Sequence, residues 1–283
     1  KSSLAYVAVP VIHSLRYGLG PMSDFKSLSP AHLRAACRDG SFDGATSGHA
    51  PGHVQANMVI LPSDYADEFQ QFCENNPQPC PVLEVLAPGR FEPGIVAPLA
   101  DVRSDLPRYR VFRDGEPTAD PTDIHDLWND DLVTFLLGCS FVAEDALMKA
   151  GLLLPHIAET GFVPMFRTTV PCIPAGRFNG TMVVSMRPFT YDEAACAAEI
   201  TKHYPMAHGA PIHVGDPAVL GIKNLAKPEF GYPVTMTEDQ LPVFWPCGVT
   251  PQEAIVNAKP PLAITHAPGH MFVADITSES TRV

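Results

Sequence analysis

Apolar residues along this chain alternate between two kinds of segment. Short, nearly continuous runs read as strands buried on both faces: NMVIL (57–61), YRVF (109–112), MFRTTV (165–170), TMVVSM (181–186), PIHV (211–214), PVFW (242–245), LAIT (262–265) and MFVADI (271–276). Between them lie amphipathic stretches whose starts carry helix signals. Ser29-Pro30 precedes AHLRAAC, Ser63 precedes DYADEFQQFC, and Ser140 precedes FVAEDALMKA with Gly151 as its stop. Thr190–Glu193 and Thr250–Glu253 both have capping-box form, and Asp216-Pro217 opens a shorter helix. The alternation predicts an α/β fold: a mixed or largely parallel sheet with helices around it.

Length and composition refine this picture. At 283 residues, one large α/β domain or two intimate lobes are both possible, and a 46% hydrophobic content can fill their core. The 30 prolines are scattered as loop and cap punctuation, and no stretch reads as a linker. A net charge of −12 argues against nucleic acid, because phosphate binding needs a basic surface. A small anionic partner stays possible, because helix termini and a few arginines can build a positive pocket on an acidic protein. No run is long enough to span a membrane; LVTFLLG (132–138) is far too short. The opening KSSLAYVAVPVIHSL is broken by Pro10 and lacks a signal-peptide pattern; an upstream targeting segment is compatible with a chain that does not open on Met. Seven cysteines without a CxxC pair suggest free thiols in a reducing compartment, the cytoplasm or the mitochondrial matrix. A homo-oligomer is compatible with all of this.

The candidate chemistry centres on a repeat. His-Ala-Pro-Gly-His occurs at His49–His53 and again at His266–His270. Imidazole titrates near neutral pH, so paired histidines suggest acid–base or metal chemistry. Pro-Gly between them forbids the helix that usually brings an i, i+4 pair onto one zinc ion. His208 and His213 in HGAPIHVGD form a further cluster. With Asp216 and the terminal pair they could hold a divalent metal such as Mn²⁺, although no ligand spacing is diagnostic. Buried structural histidines at turns are the plainer alternative for each.

Three strand-to-helix junctions, 182–190, 211–217 and 243–252, have the anatomy of a ligand crevice with helix N-termini facing anions. Arg167 and Arg187 are planar forks for carboxylates, or else structural salt-bridging arginines. Cys139 and Cys247 sit just before helix starts, where a thiol can be activated, but a small buried residue at a crowded turn is the commoner case. No dinucleotide, Walker or GxSxG fingerprint occurs.

A string of segments in fixed order then carries a resemblance: APGHVQAN (50–57), NPQPCP (76–81), SDLPRYRVFRDG (104–115), DDLVTFLLGCSF (130–141), VPMFRTTVPC (163–172), VVSMRP (183–188), HGAPIHVGDP (208–217), VFWPCGVTPQ (243–252) and ITHAPGHMFVADI (264–276). The chain resembles the D-glutamate cyclase family, also known as hydro-lyases of the YcsI-like or DUF1445 type, from about Leu33 to Ile276. The resemblance implies a single family domain over residues 29–276, with 1–28 as an N-terminal extension. Its fold would be a three-layer lobe plus a smaller α+β lobe, and its activity the conversion of D-glutamate to 5-oxo-D-proline and water. Where this chain reads GHAPGHVQAN the family pattern reads GLAPGYVQAN. His49 and His53 are therefore departures, and the catalytic half falls to the second copy.

Such a reaction must hold two carboxylates, keep the amine neutral and expel water. Arg167 and Arg187 would bind carboxylates, with backbone N–H groups at Gly215-Asp216 and Gly248–Thr250. His266 or His270, with His208 or His213 in reserve, would carry the proton, Asp216 would orient the imidazole, and Asn57 and Thr168 would hold the amino or carboxylate groups. The rivals are a metal- or cysteine-dependent hydrolase or dehydratase of another small acid, and a non-catalytic small-acid-binding protein.

Overall fold

The computed structural model describes residues 25–283. Most of the expected N-terminal extension, and any leader within it, lies outside the described residues. Two sheets organise the chain. The strands of the larger are β1 (His53–Pro62), β2 (Val82–Leu86), β3 (Tyr109–Arg113), β4 (Glu116–Ala119), β5 (Leu132–Gly138), β10 (Ala263–His266) and β11 (Phe272–Thr277). Their order is β2-β5-β1-β10-β3-β4, and β11 also pairs with β1. The smaller sheet, ordered β6-β7-β9-β8, comprises β6 (Met165–Pro171), β7 (Thr181–Phe189), β8 (His213–Val214) and β9 (Leu241–Pro246). It is inserted in the chain between β5 and β10, so no linker is needed.

Helices cover these sheets, so the α/β class holds. α1 (Pro30–Arg38) packs on β11, and α2 (Ser63–Asn75) on β1 and β5. α3 (Phe141–Lys149) meets β1, α5 (Tyr191–Thr201) covers β7 and β9, and α6 (Thr250–Ala258) touches β7; α4 (Pro155–Glu159) is a short turn leading into β6. The strand pairs recorded among the described residues are antiparallel throughout, not parallel. The runs are apolar because both faces are covered: Ala56, Met58 and Ile60 of β1 enter one core, while Val59 and Leu61 enter the other.

Some helix starts match their signals and some do not. Ser29 caps α1, and Thr190 with Glu193 closes a reciprocal capping box on α5. Asp216 caps only a 3₁₀ turn, Pro217–Leu220. Ser63 bonds Asp131 instead of capping α2, and Thr250 ties strands together instead of capping α6. Ser140 makes no cap bond either.

Candidate active site

The second pentapeptide does not join two separate elements. Val59 of β1 pairs with Thr265 of β10, and Ala56 of β1 with Phe272 of β11. β10 and β11 therefore run along one edge of β1, and between them the six residues His266–Met271 face only Asn57 and Met58. Pro268 removes a backbone donor and Gly269 takes φ +82°, so the chain leaves the ladder as a wide bulge. One side of that bulge faces the interior and the other faces solvent.

The inner side lines a cavity of about 20 Å³ with Asn57, Cys139, Ser140, Cys247 and His266. This is room for roughly one water molecule. The ends of β5, β9 and β10 converge there, at the boundary between the two sheets. The outer side, through Ala267, Pro268 and His270, lines an open cleft of about 340 Å³ with Arg108, Arg110, Asp120 and Glu229, a size suited to a small molecule. Phe162 lines both spaces. Its ring lies against Gly269, where a Cβ would stand 2.6 Å from it, and 5.8 Å from the His270 ring centre.

The two histidines are held in opposite tautomers. At His266, 1% exposed, the Met58 N–H donates to Nδ1 at 3.1 Å, the shorter of its two contacts with Met58, which leaves the proton on Nε2. Burial pushes its pKa down to about 4. At half-buried His270, Nδ1 donates to the Pro268 carbonyl at 3.0 Å, so Nε2 carries the free lone pair. Burial, then Arg108, lowers its pKa as well. Both rings are neutral at pH 7: His266 is a donor, His270 an acceptor of protons.

Arg108 and Arg110 flank Tyr109, which is buried and faces the core, so strand alternation turns both arginines to the cleft. Arg110 grips Asp120 with two bonds of 3.0 and 2.8 Å, and Arg108 reaches Asp43 at 2.7 Å. Arg110 first, with Arg108 adding to it, holds the Asp120 carboxyl below its ordinary range against the opposing effect of burial. Sequence reasoning passed over this pair, although the RYR alternation at the start of an apolar run was its signal.

Of the residues expected to form the site, Asn57, Gly248 and His266 come together, with His270 across the bulge. Asn57 Nδ2 donates to the Gly138 carbonyl at 2.5 Å. The others lie elsewhere. Arg167 is bound twice by Glu253 at 2.8 Å, so its fork is already occupied, and its guanidinium lies over Phe230, behind the cleft wall that Phe230 and Glu229 form. Arg187 is buried, with Glu144 at 2.6 Å. Thr168 donates to the Met182 carbonyl, and Thr250 to the Cys247 carbonyl. The Gly215 N–H is taken by Pro242. His213 bonds the carbonyl of Asp216 and stacks on Phe244 at the far edge of the small sheet, and the Asp216 carboxylate orients no imidazole. His208 is buried against Gln78, its pKa pushed down to about 4 by desolvation.

These histidines and Asp216 do not converge, and among the described residues no group of three or more His, Cys, Asp or Glu side chains is placed to hold a metal ion. All seven cysteines are unbridged. Burial raises Cys139 to about 12 and Cys247 to about 11, so both are thiols at neutral pH, contrary to a thiolate nucleophile. No helix among the described residues is long and apolar enough to cross a membrane.

The D-glutamate cyclase family model matches residues 133–275. A Geobacillus kaustophilus protein, named provisionally as a hydro-lyase, is 52% identical over 90% of this chain and 97% of its own length. A similarly named protein of Stutzerimonas stutzeri is 50% identical over 93% of this chain and 99% of its own. YcsI of Bacillus subtilis, also provisionally a hydro-lyase, is 47% identical over 90% of this chain and all of its own. The chain belongs to the D-glutamate cyclase family.

Proposed function

We propose that the protein is a carbon–oxygen hydro-lyase of a small amino acid, and that it cyclises D-glutamate to 5-oxo-D-proline with release of water. The observation that carries this reading is the pair of oppositely tautomerised neutral histidines on either side of one bulge, beside an arginine pair. Arg108 and Arg110 would take the α-carboxylate, the substrate competing with Asp120 for the Arg110 fork. Asp120 and Glu229 suit the ammonium group. The γ-carboxyl end would enter the inner pocket, which at about 20 Å³ admits it only if Phe162 swings aside.

Inside, the His266 Nε2–H is a donor for the carboxyl oxygen, and Asn57 Oδ1 an acceptor for the N–H. A lactam needs that pair of partners. One ammonium proton passes to the γ-carboxylate, leaving a neutral amine and a γ-carboxyl group. His270 takes a second proton from nitrogen as the C–N bond forms, and that proton leaves with the γ-hydroxyl as water when the C–O bond breaks. Holding one molecule bent supplies much of the acceleration. The metal-ligand set does not fit, and no step here depends on one. Seven free thiols suit the cytoplasm or the mitochondrial matrix.

Variant kinetics test the roles. His270→Gln is expected to lower kcat about 10²–10⁴-fold, and Arg110→Ala to act chiefly on KM. Wild-type constants in both would remove the assignment.

A further inference from the structure

Ser140 opens α3, where a serine ordinarily caps the helix by accepting an N–H from its first turn. Here its backbone is itself helical (φ −59°, ψ −21°) and the side chain makes no cap bond. Its Oγ instead accepts from Arg187 Nη2 at 3.1 Å. That arginine, 2% exposed, is held through both terminal nitrogens, Nη2 to Glu144 at 2.6 Å and Nη1 to Ser185 Oγ at 3.2 Å, with its guanidinium 5.6 Å from the Trp245 ring centre and its Nε left without a partner. Glu144 in turn bonds His156 Nε2 at 2.8 Å. Burying such a set is costly in itself and is weak evidence of a stabilising role.

The consequence falls on the serine. A cationic donor occupies one lone pair of Oγ and polarises its O–H bond. Among the described residues no acceptor takes that proton. Ser140 also lines the inner pocket, alongside Asn57 and His266. We infer that Ser140 is a further catalytic residue of the cyclisation proposed above, on which this inference rests. Its hydroxyl donates, together with His266 Nε2–H, to the γ-carboxyl oxygen as the amine adds to the γ-carbon and negative charge gathers there. Arg187 is the positioning residue behind it. No proton leaves Ser140: the proton released from nitrogen goes to His270 and departs with the hydroxyl as water.

The test compares wild type, Ser140→Ala and Ser140→Thr for 5-oxo-D-proline formation from D-glutamate, with thermal melting of each. Ser140→Ala loses no cap bond but leaves one buried Arg187 N–H without its acceptor, so it is expected to fold and to melt somewhat below wild type, while kcat falls about 10²–10³-fold with KM within a few-fold. Ser140→Thr keeps the hydroxyl and is expected to retain at least about a tenth of wild-type kcat. A folded Ser140→Ala enzyme with wild-type kcat overturns the inference while leaving the proposed function intact. If Ser140→Ala does not fold, Ser140→Cys replaces it as a near-isosteric poor donor: loss of kcat supports the role, and a wild-type rate overturns it. An inert wild-type protein overturns the function and this inference with it.

Discussion

Gly248 lies directly against Asn57: a Cβ at position 248 would stand 1.9 Å from Asn57 Nδ2 and 2.2 Å from Cγ. Asn57 cannot retreat, because its amide is anchored on the Gly138 carbonyl at the end of β5. The glycine before α6 is thus required by close approach between the two sheets. Gly248→Ala should expel the Asn57 side chain from the inner pocket, destabilise the fold by about 1–3 kcal/mol, and lower turnover far more than melting alone explains. Thermal melting with parallel kinetics checks it; unchanged values would mean that the strand ends do not pack this tightly.

Phe162 separates the outer cleft from a pocket that contains two thiols, Cys139 and Cys247. Phe162→Ala should join the two spaces. In a Cys196→Ser background, which removes the exposed thiol, alkylation of Cys139 and Cys247 at alkaline pH should then be at least about tenfold faster than in the parent, on the general rule that thiol reactivity follows exposure as well as pKa. Equal rates would show that the ring is not the barrier.

The same thiols are held protonated by burial, at about 12 and about 11. Cys139→Ala and Cys247→Ala should therefore each retain turnover within about tenfold, far from the loss that removing a covalent nucleophile brings. Abolished activity in a folded single variant would restore the cysteine-dependent reading.

Acid should destabilise the fold in two stages. His208 and His266 have native pKa values of about 4, against an ordinary 6.5, both through desolvation. The unfolded chain binds their protons first, so their stabilisation is complete above pH 6.5 and is lost as pH falls towards 4, on the order of 3 kcal/mol each. Glu144, lowered from 4.5 to about 2 by His156 and Arg187 against its burial, adds a second loss between those values. His208 sits at φ +73°, a conformation that asparagine tolerates. His208→Asn should flatten the melting-temperature slope between pH 6.5 and 4 by about half. Parallel curves for variant and wild type would contradict the assignment.

What was legible in the sequence follows from range. Strand β1 and the Thr190 capping box depend on neighbours in the chain, and they stand in the structure; His266 and His270 lie on the two sides of one bulge, and their acid–base role is part of the proposal. The pairing of β10 and β11 along one edge depends on β1, some 200 residues away, so the local pattern around His266–His270 does not show the bulge. Arg187 looked like a carboxylate fork for a ligand; Glu144, 43 residues upstream, is the carboxylate that it binds. A buried internal pair and a substrate site present the same arginine in sequence. Arg108 and Arg110 were hidden in an apolar run, and only their pairing against β10 brings them beside His270. Ser140 carried a helix-start signal that its bond to Arg187 overrides.

The most direct measurement of the central claim is NMR of the purified protein with D-glutamate and, separately, L-glutamate, after chelation and without added metal. The account predicts accumulation of 5-oxo-D-proline from the D isomer, lost in His270→Gln. No product from either isomer, or product formed equally well by His270→Gln, would contradict it.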